Sequence, residues 1–302
     1  MSGLMAAVTT ATEKRAAFRA GLASGRIQRF PGAFNPLVAK LIQEVGFEGV
    51  YVSGAVVSAE LALPDIGLTT LTEVVERGRQ IARVTDLPVL IDADTGFGEP
   101  MNAARTVTML EDAGLAGCHI EDQVNPKRCG HLDGKAVVPV ADMVRRLRAA
   151  VSARRDPGFV ICARTDARGT EGLDAAIDRA KAYADAGADL IFTEALADAG
   201  EFAKFLAAVD IPLLANMTEF GKSELLSSTE LENLGVNAVI YPVTTLRLAM
   251  FAVESGLREI AATGTQAALV DRMQHRARLY ELLDYARYNE FDSDIFNFTV
   301  SE

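Results

Sequence analysis

The feature that most constrains this chain is an alternation that runs from end to end. Eight short apolar runs, each followed by a longer amphipathic segment, follow one another: Arg29–Phe34, Gly49–Ser53, Pro88–Asp92, Ala116–Ile120, Phe159–Arg164, Leu190–Glu194, Pro212–Asn216 and Ala238–Tyr241. Unbroken apolar strands suit a parallel sheet covered on both faces. The intervening segments, such as Thr72–Val84, Asn102–Ala113, Ala141–Ala153 and Leu173–Ala186, are rich in Ala, Leu, Glu and Arg and read as helices. Gly46, Gly114, Gly187 and Gly235 fall where a left-handed helix cap is expected, each a few residues before the next strand. Eight strand-then-helix units are the number a closed parallel barrel needs. An open doubly wound sheet has the same alternation but usually a glycine-rich first turn, and Gly32-Ala33-Phe34-Asn35-Pro36 is not GxGxxG. The expectation is α/β: one (β/α)8 TIM-type barrel domain over residues 1–302. Residues 1–28 add an N-terminal helix, and Gln266–Tyr288 a long helix within a C-terminal extension of about 266–302.

What ends each strand is informative. Asp92 and Asp94 close the third, Glu121 and Asp122 the fourth, Arg164 and Asp166 the fifth, Glu194 the sixth, Asn216 and Thr218 the seventh. One charge after a strand is usually a cap or a solvated turn. Five consecutive strands ending this way point to the catalytic face, because the C-terminal ends of barrel strands converge. Asp92 and Asp94, two apart, can point the same way in extended chain. With Glu121 they form an oxygen-rich cluster suited to Mg²⁺. The histidines His119, His131 and His275 are scattered without ligand spacing, which argues against zinc.

A long connection, Gln123 to Pro139, follows the fourth strand and carries Lys127-Arg128-Cys129-Gly130-His131. A thiol beside two cations and an imidazole is readily ionised. The glycines and Asn125-Pro126 suggest a loop able to close over a site. Cys118 and Cys162 lie inside apolar strands and read as core. Three cysteines without CxxC spacing support neither a disulfide scaffold nor a zinc ribbon. The net charge of −11, with 41 acidic and 30 basic residues and no basic run, opposes nucleic-acid or anionic-membrane partners. No apolar run approaches the roughly 18 residues of a membrane span, and the start does not read as a secretory signal. A cytoplasmic enzyme is expected, one that needs local cations to bind an anionic substrate.

These residues, in this order, resemble the isocitrate lyase and phosphoenolpyruvate mutase superfamily. The likeness runs from about Phe18 to Phe291 and rests on Tyr51-Val-Ser-Gly54, Leu63-Pro-Asp65, Asp92-Ala-Asp-Thr-Gly-Phe-Gly98, His119-Ile-Glu-Asp-Gln123, Lys127-Arg-Cys-Gly-His131, Ala163-Arg-Thr-Asp166 and Asn216-Met-Thr-Glu-Phe220. The cysteine loop is specific for the carbon–carbon lyases of the superfamily, and Thr218-Glu219-Phe220 favours the methylisocitrate-cleaving branch. The resemblance implies cleavage of a tricarboxylate, 2-methylisocitrate, to pyruvate and succinate. It implies that Asp92 and Asp94 hold Mg²⁺, or Mn²⁺ in its place, with Asp65 and Glu121 around them. Ser53, Gly54, Ala55, Cys129, Gly130 and Met217 then contact substrate, with Arg164, Asn216, Thr218, Arg247 and Arg276 on its carboxylates and Glu194 completing the wall. Arginines suit this task because a guanidinium pairs bidentately with a carboxylate. Cys129, beside Lys127 and Arg128, is the acid that protonates the succinate carbanion; Tyr51, then His131, is the candidate base. The resemblance further implies a homotetramer that exchanges a C-terminal helix between subunits.

Ala55 stands where relatives often have glycine, and Thr193 where they often have proline; both bear on selectivity. An oxaloacetate hydrolase or dimethylmalate lyase of the same superfamily would share the barrel, the metal and the loop. A metal-independent thiol hydrolase using Cys129 and His131, and a non-catalytic binding barrel, are the readings from other classes.

Overall fold

A computed structural model describes residues 9–128, 130 and 134–297. Its eight strands are β1 (Gln28–Pro31), β2 (Val50–Val52), β3 (Val89–Asp92), β4 (Gly117–Glu121), β5 (Val160–Thr165), β6 (Leu190–Thr193), β7 (Leu213–Asn216) and β8 (Ala238–Tyr241). All pair in parallel, in the order β1-β8-β7-β6-β5-β4-β3-β2. A parallel bridge from Gly32 to Tyr51, with Ala33 N–H donating to Tyr51 O at 2.9 Å, brings β1 against β2 and closes the barrel. Each strand lies within a few residues of its apolar run.

Side-chain alternation splits the core in two. Tyr51, Leu90, Cys162, Leu190, Phe192, Leu214 and Ile240 pack inside the barrel, while Val50, Val52, Val89, Ile91, Cys118, Ile120, Ile161, Ile191 and Leu213 pack outward against helices. The same parity carries Asp92, His119, Glu121, Arg164, Glu194 and Asn216 to the inner side. The glycines expected as caps adopt positive φ, from 85° at Gly114 to 100° at Gly187. That region suits a residue without Cβ.

Helix α1 (Ala11–Leu22) is the N-terminal addition, started by a Thr10–Glu13 capping box. Its Phe18 and Leu22 enter the barrel-interior cluster and plug the end where strands begin; Phe18 meets Phe30 at 4.9 Å between ring centroids. Helices α2 (Pro36–Val45), α3 (Gly54–Glu60), α4 (Leu71–Ala82), α5 (Pro100–Asp112), α6 (Val140–Ala153), α7 (Leu173–Asp185), α8 (Ala199–Ala208), α9 (Ser228–Leu234) and α10 (Thr244–Thr263) surround the sheet. None of the helices among the described residues is long and apolar enough to cross a membrane.

The expected long C-terminal helix is instead three pieces: a 3₁₀ segment at Ala267–Arg272, α11 (Arg276–Leu282) and α12 (Tyr285–Phe296). Met273 is extended and Asp284 sits at φ 55°, so the helical hydrogen-bond ladder breaks twice.

Candidate active site

The C-terminal ends of the strands surround a small cavity. Its wall includes Tyr51, Ser53, Ala55, Asp65, Asp92, Lys127, Arg128, Gly130, Arg164, Glu194, Asn216 and Thr218, all named from the sequence. Phe192, Ile240, Pro242 and Val243 line it too and were not named. Phe192 read as ordinary strand core; its ring lies under the Arg164 guanidinium, 4.9 Å away, a cation–π contact that holds the arginine flat.

Asp65 and Asp94 meet at the Lys127 ammonium, with Asp92 beside them. Asp92 accepts from Gly54 N–H at 3.1 Å and from Asp94 N–H at 2.9 Å. A Cβ on Gly54 would lie 2.8 Å from Asp92 Oδ2 and 3.2 Å from Asp94 Oδ1, so only glycine lets α3 start this close. The buried Lys127 ammonium pairs with Asp65 and approaches Asp94 Oδ1 to 2.7 Å without a hydrogen-bonding angle. Among the described residues no three Asp, Glu, His or Cys side chains converge as metal ligands. Lys127 stands where a metal ion would draw them together.

Electrostatics follow from this crowding. Burial, then the charge of Asp92, pushes the Asp94 carboxyl up to about 6. Burial drives Glu121 well above its ordinary value, against the pull of Arg164 at 3.2 Å, and its Oε1 has no partner. Burial also acts on Asp92, but attraction to His119, Lys127 and Arg164 outweighs it and holds that carboxyl low. Unmet oxygen donors of hard carboxylates are what a divalent cation such as Mg²⁺ satisfies, so the residues present fit one.

Tyr51, on the strand next to that of Asp92, has its hydroxyl 2.7 Å from His119 Nε2. Burial, then Asp92, drives its phenol well above the usual value. Burial lowers His119 to about 4, so this imidazole is neutral at neutral pH. Tyr51 is therefore a protonated phenol, not a standing phenolate.

Arg164 is the cavity's central cation. It reaches Glu194 Oε2 at 2.9 Å, Asp166 Oδ2 at 2.9 Å and Glu121 Oε2 at 3.2 Å. Asn216 Nδ2 donates to Glu194 Oε1 at 3.2 Å. Arg247 sits at the rim, contacting Thr218 Oγ1 at 3.4 Å but held by Glu219.

Two residues expected on substrate are elsewhere in this structure. Met217 points to the outer core and its sulfur accepts from Leu226 N–H at 3.3 Å, because its parity is opposite to that of Asn216 and Thr218. Arg276 is exposed at the start of α11, on the part of the chain that packs against α2. Cys129 and His131 lie outside the described residues. Their neighbours Arg128 and Gly130 line the cavity. The loop's neck is pinned: Gln123 pairs with Val137 in an antiparallel bridge, and its side chain bonds the Arg128 backbone at 2.8 and 2.9 Å.

Residues 18–261 match the family described as phosphoenolpyruvate phosphomutase. A relative from Corynebacterium glutamicum, named probable 2-methylisocitrate lyase 2, is 70% identical over 300 residues, covering 99% of this chain and 98% of its own. An oxaloacetate acetylhydrolase solved with the inhibitor 3,3-difluorooxalacetate superposes with TM-score 0.89 at 32% identity, covering 96% of this chain and 99% of the other. A phosphonopyruvate hydrolase solved with oxalate and Mg²⁺ gives TM-score 0.85 at 30% identity, covering 93% and 98%.

Proposed function

The chain belongs to the phosphoenolpyruvate phosphomutase family, and from that premise we propose that it cleaves 2-methylisocitrate to pyruvate and succinate. It is a carbon–carbon lyase, as are the curated relatives that resemble it along nearly their whole length. The observation that carries the reading is that Asp65, Asp92 and the Arg164 guanidinium line one cavity, with Asp94 beside it against Lys127.

Arg164 binds a substrate carboxylate, and Glu194 and Phe192 fix the guanidinium plane in advance. Asn216 and Thr218 donate at the same wall, and Arg247 turns from Glu219 to a carboxylate at the rim. Ser53, Gly54 and Ala55 contact the part that becomes pyruvate. Asp92 and Asp94, with Asp65 and Glu121 around them, would hold a divalent cation, which when bound would supply Lewis acidity toward the carbonyl that forms. Tyr51 takes the base's place: its oxygen accepts the substrate hydroxyl proton as its own proton moves to His119 Nε2, 2.7 Å away. Substrate carboxylates arriving beside Cys129 raise its thiol again and keep it protonated, so that it gives its proton to the succinate carbanion, a transfer that closing the loop shields from water.

The test is pyruvate release from 2-methylisocitrate, isocitrate, 2,3-dimethylmalate and oxaloacetate, with the acetate and oxalate of hydrolysis assayed alongside. The expected order places 2-methylisocitrate first in kcat/KM. Preference for oxaloacetate with acetate formed would instead support the hydrolase reading.

The proposed assembly is a homotetramer. Helix α10 has no buried residue, and Phe251, Leu257, Val270, Met273, Leu283 and Phe296 leave apolar surface exposed. Such a face is covered by another protein surface more often than by water. Chains ending before Gln266 are expected to be poorly soluble; a monodisperse monomer of the full chain by light scattering at micromolar concentration contradicts the assembly.

A further inference from the structure

Lys135 lies in the connection after β4 and has no role above. Its buried side chain donates to the carbonyl of Gly130 and to Asp166 Oδ1, the latter at 2.7 Å. Asp166, fully buried, accepts from Arg164 through both oxygens, at 2.9 Å and 3.3 Å. It cannot drift, because its own N–H donates at 2.9 Å to Asp122, which also holds Thr165 and Tyr183 at 2.8 Å each. A line of bonds therefore runs from the backbone of the residue after Cys129, through Lys135 and Asp166, to the arginine on the cavity wall. Gly130 is seated from the other side too: any side chain there would overlap Arg164 and Glu194.

We propose that Lys135 is a positioning residue for the lyase reaction, tying the Gly130 backbone to the Asp166–Arg164 pair. The catalytic part of this rests on the lyase reading above. A lysine meets two needs at one point. It satisfies the Gly130 carbonyl, and its charge occupies one side of Asp166, so that carboxylate does not draw Arg164 away from Glu194 and an incoming carboxylate. Holding the loop in place before substrate arrives removes ordering cost from the chemical step.

The experiment compares Lys135→Met, Lys135→Gln and Lys135→Arg in full-length enzyme. Displacing a catalytic loop by about 1 Å costs on the order of a hundredfold, so Lys135→Met should lose about that much kcat, with a smaller rise in KM as Asp166 draws on Arg164. In ligand-free enzyme, trypsin should cut after Lys127 or Arg128 much faster than in wild type, read from fragment masses. Lys135→Arg, which keeps charge and donors, should restore most of both. Lys135→Gln keeps one donor and should fall between, and it replaces the Met variant in every comparison if the latter does not fold. Wild-type kcat in the Met variant, lost kcat with unchanged loop cleavage, or no rescue by arginine would overturn the proposal. Loop cleavage needs no substrate. Wild-type enzyme inactive on all four substrates ends the lyase reading while cleavage still decides the tether.

Discussion

The two ends of the barrel handle charge in opposite ways. At the end where strands begin, the cations of α1 meet hydrogen-bond acceptors, although burial pushes the Lys14 ammonium below its ordinary value. Lys14 donates to the carbonyl of Ala82 at 2.9 Å, and Arg15 to the carbonyls of Leu115 and Glu111 and to Asp156 at 2.8–2.9 Å. Asp156, bonded by Arg15, is held below its ordinary carboxyl value. At the end where strands finish, six carboxyl groups (Asp65, Asp92, Asp94, Glu121, Asp166 and Glu194) crowd around Lys127, Lys135 and Arg164. There the carboxyls of Asp94 and Glu121 are pushed up and an oxygen of Glu121 goes unmatched. One end is built for the fold; the other is held against its own preference, ready for a cation and an anionic substrate. Stability and function are separable along the barrel axis.

The largest expected effect comes from Asp94→Asn, which should move activity and stability in opposite directions. Losing a metal-side carboxylate should cost roughly a thousandfold in kcat. A carboxyl raised from 3.8 to about 6 is destabilised by its charge, so its penalty grows as pH rises from 3.8 through 6 and is complete above it. The amide removes that penalty while Lys127 keeps Asp65 as a partner, so above pH 6 chelator-treated Asp94→Asn should be more stable than wild type. A lower Tm by calorimetry would mean that the cluster is structural, and the contrast between the ends would fail.

Arg15→Met probes the other end. It leaves the carbonyls of Leu115 and Glu111 without that donor and takes one of three donors from Asp156, which should cost about 1–3 kcal/mol. The variant's kcat/KM should stay within about twofold of wild type, since nothing it touches reaches the cavity. Chelation should abolish turnover in wild type and in Arg15→Met alike, with Mg²⁺ restoring it and Mn²⁺ substituting. Full turnover in metal-free enzyme would break the assignment of the acidic end.

Much of this contrast is legible in the sequence, because strand parity is. Asp92, Arg164, Glu194 and Asn216 each end an apolar run, and a period of two sends each into the barrel. That rule also excludes the Met217 side chain, which flanks Asn216 and so faces outward. What stays hidden depends on long-range geometry. Lys127 reads as a neighbour of Cys129, yet its ammonium turns to Asp65, 62 positions earlier in the chain. Lys135 looks like one loop lysine among several until Asp166 is seen beside it. The break at Asp284 has no glycine or proline to announce it, so the C-terminal segment reads as one helix.

The smallest expected effect sharpens the contrast through its sign. Arg29 and Glu48, near the starts of β1 and β2, form a two-pronged pair at 2.6 and 2.8 Å, with Arg29 N–H adding a third bond at 3.0 Å. Burial raises the Glu48 carboxyl, but its bonds to Arg29 outweigh this and the net shift is downward from 4.5. A depressed carboxyl contributes stability that is present above its unfolded value and lost as pH falls through its folded one. Both side chains are about one-third exposed, so solvent screening limits the contribution to roughly 0.5–1 kcal/mol. Glu48→Gln should therefore be slightly less stable than wild type at pH 7, and the difference should vanish as the pH is lowered through the carboxyl range. Asp94→Asn should show the opposite slope, its advantage over wild type growing as pH rises through 6. Calorimetric Tm differences for the two variants across pH 3.5–8 make the check in one experiment. Parallel slopes, or a Glu48→Gln deficit that persists at the acid end, would mean that the two ends of the barrel treat their carboxylates alike.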